Sequence, residues 1–138
     1  MTARTWADMD AAPRAAPATL TAAHVPDAPG VYAWYREGQR MYVGKADVLR
    51  DRVWGNHLGQ SRAPTGSAFR RNVAEHLDFG RAADIKSGAV TLTDDQLAAM
   101  RAWILGCEVA WLTCASKADA IDLETQLKAE HRPPLTKR

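Results

Sequence analysis

Cysteine is scarce in this chain, with only Cys107 and Cys114 in 138 residues. No Cys-x-x-Cys or other metal-ligand spacing involves them, which excludes a zinc ribbon or a redox dithiol. They stand seven residues apart in an apolar run that reads as a strand. That spacing turns them to opposite faces and argues against a disulfide between them. Long apolar runs are missing as well. Asp8, Asp10 and Arg14 interrupt the N-terminus, leaving no signal-peptide core, and no run is long enough to span a bilayer. Reduced thiols and the lack of such segments read as a soluble, cytoplasmic protein. A charge of one sign is also lacking: 18 Lys and Arg face 16 Asp and Glu, a formal +2. Global electrostatics alone therefore marks no polyanion binder.

What is present fits one compact domain. The hydrophobic share of 46% and charged share of 25% are ordinary for a globular protein, and 138 residues can bury a core without disulfides or structural metals. Local charge is less even than the total. From Arg50 to Arg71 the charged residues are Arg50, Asp51, Arg52, Arg62, Arg70 and Arg71, five positive against one negative. Such a stretch can follow a phosphate backbone, or simply be a solvated basic face.

Residues 1–20 are rich in Ala, Pro and Thr without periodicity and read as a flexible or loosely docked arm, leaving 21–138 as the folded domain. Gly30-Val31-Tyr32-Ala33-Trp34-Tyr35-Arg36 reads as an aromatic-rich strand. Glu37-Gly38-Gln39 is a turn signal, and Arg40 to Lys45 forms the returning strand. Asp47 can cap a short helix carrying Leu49 and Val53, with Gly55 as its stop. Residues 59–66 form a loop, and Ser67 caps a helix through Phe69, Val73 and Leu77 that ends near Gly80. Thr93 and Gln96 form a capping box for the next helix, and Ser116 caps the last, which Pro133-Pro134 ends. Glu108 to Cys114 supplies a third strand. The sum is an α+β domain, a small and mainly antiparallel three-stranded sheet flanked by about four helices.

Side chains alternate along strands, so loop parity decides whether Tyr32 and Tyr42 share a face. A two-residue loop at Gly38-Gln39 separates them. A three-residue loop over Arg36-Glu37-Gly38, with Gly38 left-handed, sets Tyr32 directly across from Tyr42. Taken alone, that arrangement is an ordinary cross-strand aromatic pair.

Three segments in order carry a resemblance. Gly30-Val31-Tyr32 followed by Tyr42-Val43-Gly44-Lys45 resembles the paired signature of the GIY-YIG nucleases. The continuation Ala46-Asp47-Val48-Leu49-Arg50-Asp51-Arg52-Val53 is similar to their excision-repair branch. Ala120-Ile121-Asp122-Leu123-Glu124-Thr125-Gln126-Leu127 with Pro133-Pro134-Leu135 is similar to the family's glutamate helix. The resemblance covers about residues 29–136. It implies a metal-dependent endonuclease that hydrolyses DNA phosphodiesters to leave a 5′ phosphate. Tyr32 is then the general base or its relay, Tyr42 positions the water or phosphate, and Lys45 assists deprotonation. Arg52 clamps the scissile phosphate, where a planar fork suits two oxygens. Glu124 would hold a single Mg²⁺ or Mn²⁺ that keeps most of its waters.

Helical spacing puts positions 120, 121, 124, 127 and 128 on one stripe, with Glu124 in the middle of Ala120, Ile121 and Leu127. An inward carboxylate there needs a partner or a metal; the plain alternative is a pair with Arg52. Many relatives place a His one turn after the arginine. Asn56 stands there and His57 follows, so His57 is either a bulged-in catalytic residue or a loop residue. Relatives also often carry Asn shortly after the terminal proline, where this chain has Thr136. Arg62, Arg70 and Arg71 are candidate nucleic-acid contacts, and Trp54 a candidate stacking platform. The residues do not separate DNA from RNA. Target choice falls to local loops, to a homodimer or to a partner protein. The other reading is a catalytically silent nucleic-acid-binding module with the same fold.

Overall fold

The computed structural model describes residues 4–57 and 67–137, without the side chains of Asn56 and His57. Three strands, β1 (Gly30–Arg36), β2 (Gln39–Ala46) and β3 (Glu108–Thr113), form an antiparallel sheet in the order β2-β1-β3. The expected α+β class and three-stranded sheet are what is found. The central strand β1 is buried from Gly30 through Tyr35. This accounts for its nearly unbroken apolar sequence, since both its faces lie under other elements.

Besides two short 3-10 turns, the helical segments described around the sheet are α1 (Trp6–Ala11), a wide π-helical segment (Arg50–His57), α2 (Ala68–His76), α3 (Ala82–Ser87), α4 (Asp94–Leu105) and α5 (Lys117–Glu130). Tyr32, Trp34 and Tyr42 meet Phe69 and Val73 of α2, Ile85 of α3, and Met100 and Ile104 of α4 on one face. Val31, Ala33, Tyr35 and Val43 meet α1 and α5 on the other. Cys107 and Cys114 fall in these two separate clusters as free, buried thiols, and burial pushes Cys107 up to about 11. The caps also follow the sequence. Ser67 accepts from the Arg70 N–H, Thr93 and Gln96 bond reciprocally, and Ser116 accepts from the Asp119 N–H. Among the described residues no helix is long and apolar enough to cross a membrane.

The expectation of a loose arm fails from Arg4 onward. Trp6 is fully buried, and its indole N–H donates to the carbonyls of Leu127 (2.8 Å) and His131 (2.9 Å). Asp10 accepts from the Tyr35 hydroxyl at 2.7 Å and pairs with Arg40. Arg14 lies 3.9 Å over the Tyr35 ring, and Ala15 bridges antiparallel to Val109. The segment covers the outer edge of β3 and one face of the sheet. Composition hid this because the large apolar residues that dock it, Trp6, Met9 and Leu20, are few and widely spaced. The helices α1 and α3 were both unread in the sequence, each being only six residues long.

Candidate active site

The hairpin brings the phenols together by a route the sequence reading missed. Glu37 and Gly38 both have positive φ, 53° and 78°, and close a two-residue turn that pairs Arg36 with Gln39 and Tyr35 with Arg40. Continued unbroken, that register would set Tyr42 opposite Ala33, facing away from Tyr32. A bulge at Met41 intervenes, and beyond it Trp34 pairs with Tyr42 and Tyr32 with Gly44. The two tyrosines therefore share a face as expected, but diagonally rather than directly opposed. Their ring centroids lie 6.2 Å apart with planes 28° from parallel.

The motif glycines are places of close approach. A Cβ on Gly44 would stand 2.5 Å from the Tyr32 Oη and 2.7 Å from its Cζ, so the phenol lies directly over the bare backbone. A Cβ on Gly30 would meet the Leu112 carbonyl at 2.5 Å and Leu49 Cδ1 at 2.6 Å. These two positions let β3 and the Leu49 side chain close on one side of Tyr32 and let the ring settle on the other.

Burial raises the Tyr32 phenol well above its ordinary value, and the Tyr42 and Glu124 charges push the same way while Arg52 opposes them. Tyr42 is also raised by burial and by Glu124. It is pulled down by its hydrogen bond with Tyr32 and by Arg52 and Arg71. The contact between the phenols raises Tyr32 further and partly offsets the rise at Tyr42. Arg52 is delivered by the π-helical segment, a winding often found at functional sites. Gly55 does not stop that segment.

Glu124 sits differently from the expected stripe. The buried side of α5 is Ala120, Leu123 and Leu127, while Ile121 is 47% exposed. Glu124 lies at the margin, its side chain 14% exposed, and its ion-pair partner is Lys128 at 3.2 Å rather than Arg52. Among the described residues no three His, Cys, Asp or Glu side chains gather into a metal cage. The donor set therefore fits only an ion held by one carboxylate and its own waters.

Other expected residues divide. Lys45 pairs with Val31, and strand alternation turns it to the opposite face from Tyr42. The charges acting most on the phenols are those of Arg52, Arg71 and Glu124. The His57 side chain and Arg62 lie outside the described residues. Arg70 is 3% exposed and turned inward, so the expected phosphate contact does not hold for it. Arg71 is half-buried and, with Tyr42, lines an open cavity of about 350 Å³. Trp54 packs partly against the core. Thr136 accepts the Val43 N–H at 2.9 Å, and the Leu135 N–H reaches the Met41 carbonyl at 2.9 Å, so the tail fastens the bulged strand that bears Tyr42. Sequence reasoning missed Lys128, whose signal was its place one turn after Glu124. It also missed Asn72, which holds the Leu135 carbonyl at 2.9 Å.

Paired phenols on the hairpin of a small α+β sheet, with the charges of Arg52 and Glu124 acting on them, make up the candidate site. The chain belongs to the GIY-YIG catalytic domain family, whose model matches residues 30–138. Among solved structures it is similar to the GIY-YIG N-terminal endonuclease domain of UvrC from Thermotoga maritima. A point mutant of that domain bound to its catalytic divalent cation is 20% identical, with 83% of this chain and 88% of that one covered and a TM-score of 0.45. The same domain bound to magnesium is 20% identical, with 80% and 85% covered and a TM-score of 0.43. No curated protein matches the sequence.

Proposed function

We propose that the chain is a metal-dependent endonuclease that hydrolyses DNA phosphodiesters. The observation that carries this reading is the pair of hydrogen-bonded phenols on one sheet face, both under the charges of Arg52 and Glu124. A water attacks phosphorus, the bond to the 3′ oxygen breaks, and a 5′ phosphate remains. Arg52 holds the phosphoryl oxygens through its planar fork. The base is Tyr42 rather than Tyr32. Burial raises both phenols, but Tyr32 is 1% exposed, whereas Tyr42 lines the cavity that a water can enter. Tyr32 then positions Tyr42. Glu124 would hold one Mg²⁺ or Mn²⁺, which supplies positive charge to the phosphate and the departing oxygen. The protein works in the cytoplasm, and dimerisation or a partner protein supplies target choice.

The Glu124–Lys128 ion pair favours a second reading, a silent nucleic-acid-binding module, because a lysine already satisfies the carboxylate. One experiment separates the two: cleavage of single-stranded, duplex and branched DNA with Mg²⁺, Mn²⁺ or EDTA, beside Glu124→Ala. Metal-dependent cutting lost in the variant supports the nuclease. Binding without cutting under every condition supports the module.

A further inference from the structure

The cavity beside Tyr42 is lined by cations from four separate elements: Arg71 of α2, Lys86 of α3, Lys128 of α5 and Lys137 of the tail. Among the described residues no carboxylate lines it. The acids tied to it are Glu124, paired with Lys128, and Glu75, paired with Lys137. Four cations against two carboxylates leave an excess of two positive charges, equal to the formal charge of the whole 138-residue chain. Bringing like charges together opposes folding unless an anion usually lies among them. The small side chains of Ala68, Ala82 and Ala83 leave the space open.

We infer that this cavity seats a backbone phosphate of the substrate strand, next to the phosphate being cut. The inference rests on the nucleic-acid reading above and gives the strand a direction across the protein, from the phenols toward α3. Three observations support a strand over a free anion. Tyr42 is a wall of both sites, so an occupant of one adjoins an occupant of the other. Arg71 acts on the Tyr42 phenol from the cavity side, linking the two electrostatically. The volume of about 350 Å³ suits a nucleotide-sized group rather than a lone ion. Lys128 joins the sites as well, since it reaches both Glu124 and the cavity.

The test measures binding of a short fluorescent single-stranded DNA to the full chain in EDTA over a range of salt. Lys86 is the position to change, because it is exposed and takes no part in the phenol site. Lys86→Ala should weaken binding several-fold and lower the slope of log affinity against log salt by about 0.7, the share of one phosphate contact. Lys86→Glu should weaken it further. Arg14→Ala, on the opposite sheet face, should change neither quantity. Wild-type affinity and slope in both Lys86 variants, in protein that binds DNA, would overturn the inference and leave the nuclease reading intact. Protection by a 5′ mononucleotide, lost in Lys86→Ala while an oligonucleotide without a terminal phosphate binds both proteins alike, would overturn it in favour of a terminal-phosphate site. A wild-type chain that neither binds DNA nor cuts it with either metal would remove the nuclease reading itself.

Discussion

At Gly44 a methyl group would share the space of the Tyr32 phenol, 2.5 Å from its oxygen. Gly44→Ala should therefore force the ring or the strand aside. The expected cost is about 1–3 kcal/mol in urea unfolding, typical of overpacking, with loss of cleavage larger than that figure alone explains, because Tyr32 no longer reaches Tyr42. Thr136 makes the complementary case. Its hydroxyl is the acceptor for the buried Val43 N–H, so Thr136→Val should leave that donor unpaired and cost about 1–3 kcal/mol. Thr136→Ser should keep most of the stability. The sequence placed Thr136 where relatives often carry Asn, and a hydroxyl fills part of that role here. Gly44 was legible as a motif letter, yet the reason for it was not, since the ring above it comes from another strand.

Among the elements, α1 shows how a short helix escapes a sequence reading. Six residues give too little periodicity to read, and the surrounding Ala and Pro look like linker. The docking rests on Trp6, and Trp6→Ala should destabilise the fold by about 3–5 kcal/mol in urea unfolding. A freely moving arm would give no change. Asp10 adds a pH signature. The hydrogen bond from Arg40 is the main cause holding its carboxyl below the usual range. A depressed folded value means the contribution is present above the unfolded carboxylate pKa and is lost as pH falls through the folded one. Asp10→Asn should accordingly flatten the acid limb of a stability-against-pH curve while leaving its slope above neutrality unchanged. The hairpin was legible in its outcome, two phenols on one face, but not in its register. A turn and a bulge each shift parity by one, and no local residue pattern reports their sum.

For the whole molecule, one site per chain has consequences that belong to neither residue nor element. On the reading proposed above, Tyr32, Tyr42, Arg52 and Glu124 make a single constellation, and the basic cavity adjoins it at Tyr42. A strand laid through both has its cut phosphate fixed and its polarity fixed with it. The second strand of a duplex runs the other way and cannot use the same site in the same encounter. On supercoiled plasmid with Mg²⁺ or Mn²⁺, a chain acting alone should therefore accumulate nicked circles before any linear form appears, with linear product arising only from later, independent nicks. The ratio of nicked to linear DNA would then be unchanged by protein concentration at equal extent of reaction. Should two copies act together, linear product would instead appear early and rise with protein concentration, because pairing two sites is second order in the chain. Gel analysis of the time course at several concentrations separates these. With Lys86→Ala and protein below saturation, the first nick should slow relative to wild type more at low salt than at high salt, since the lost phosphate contact is one that salt already weakens in the wild type.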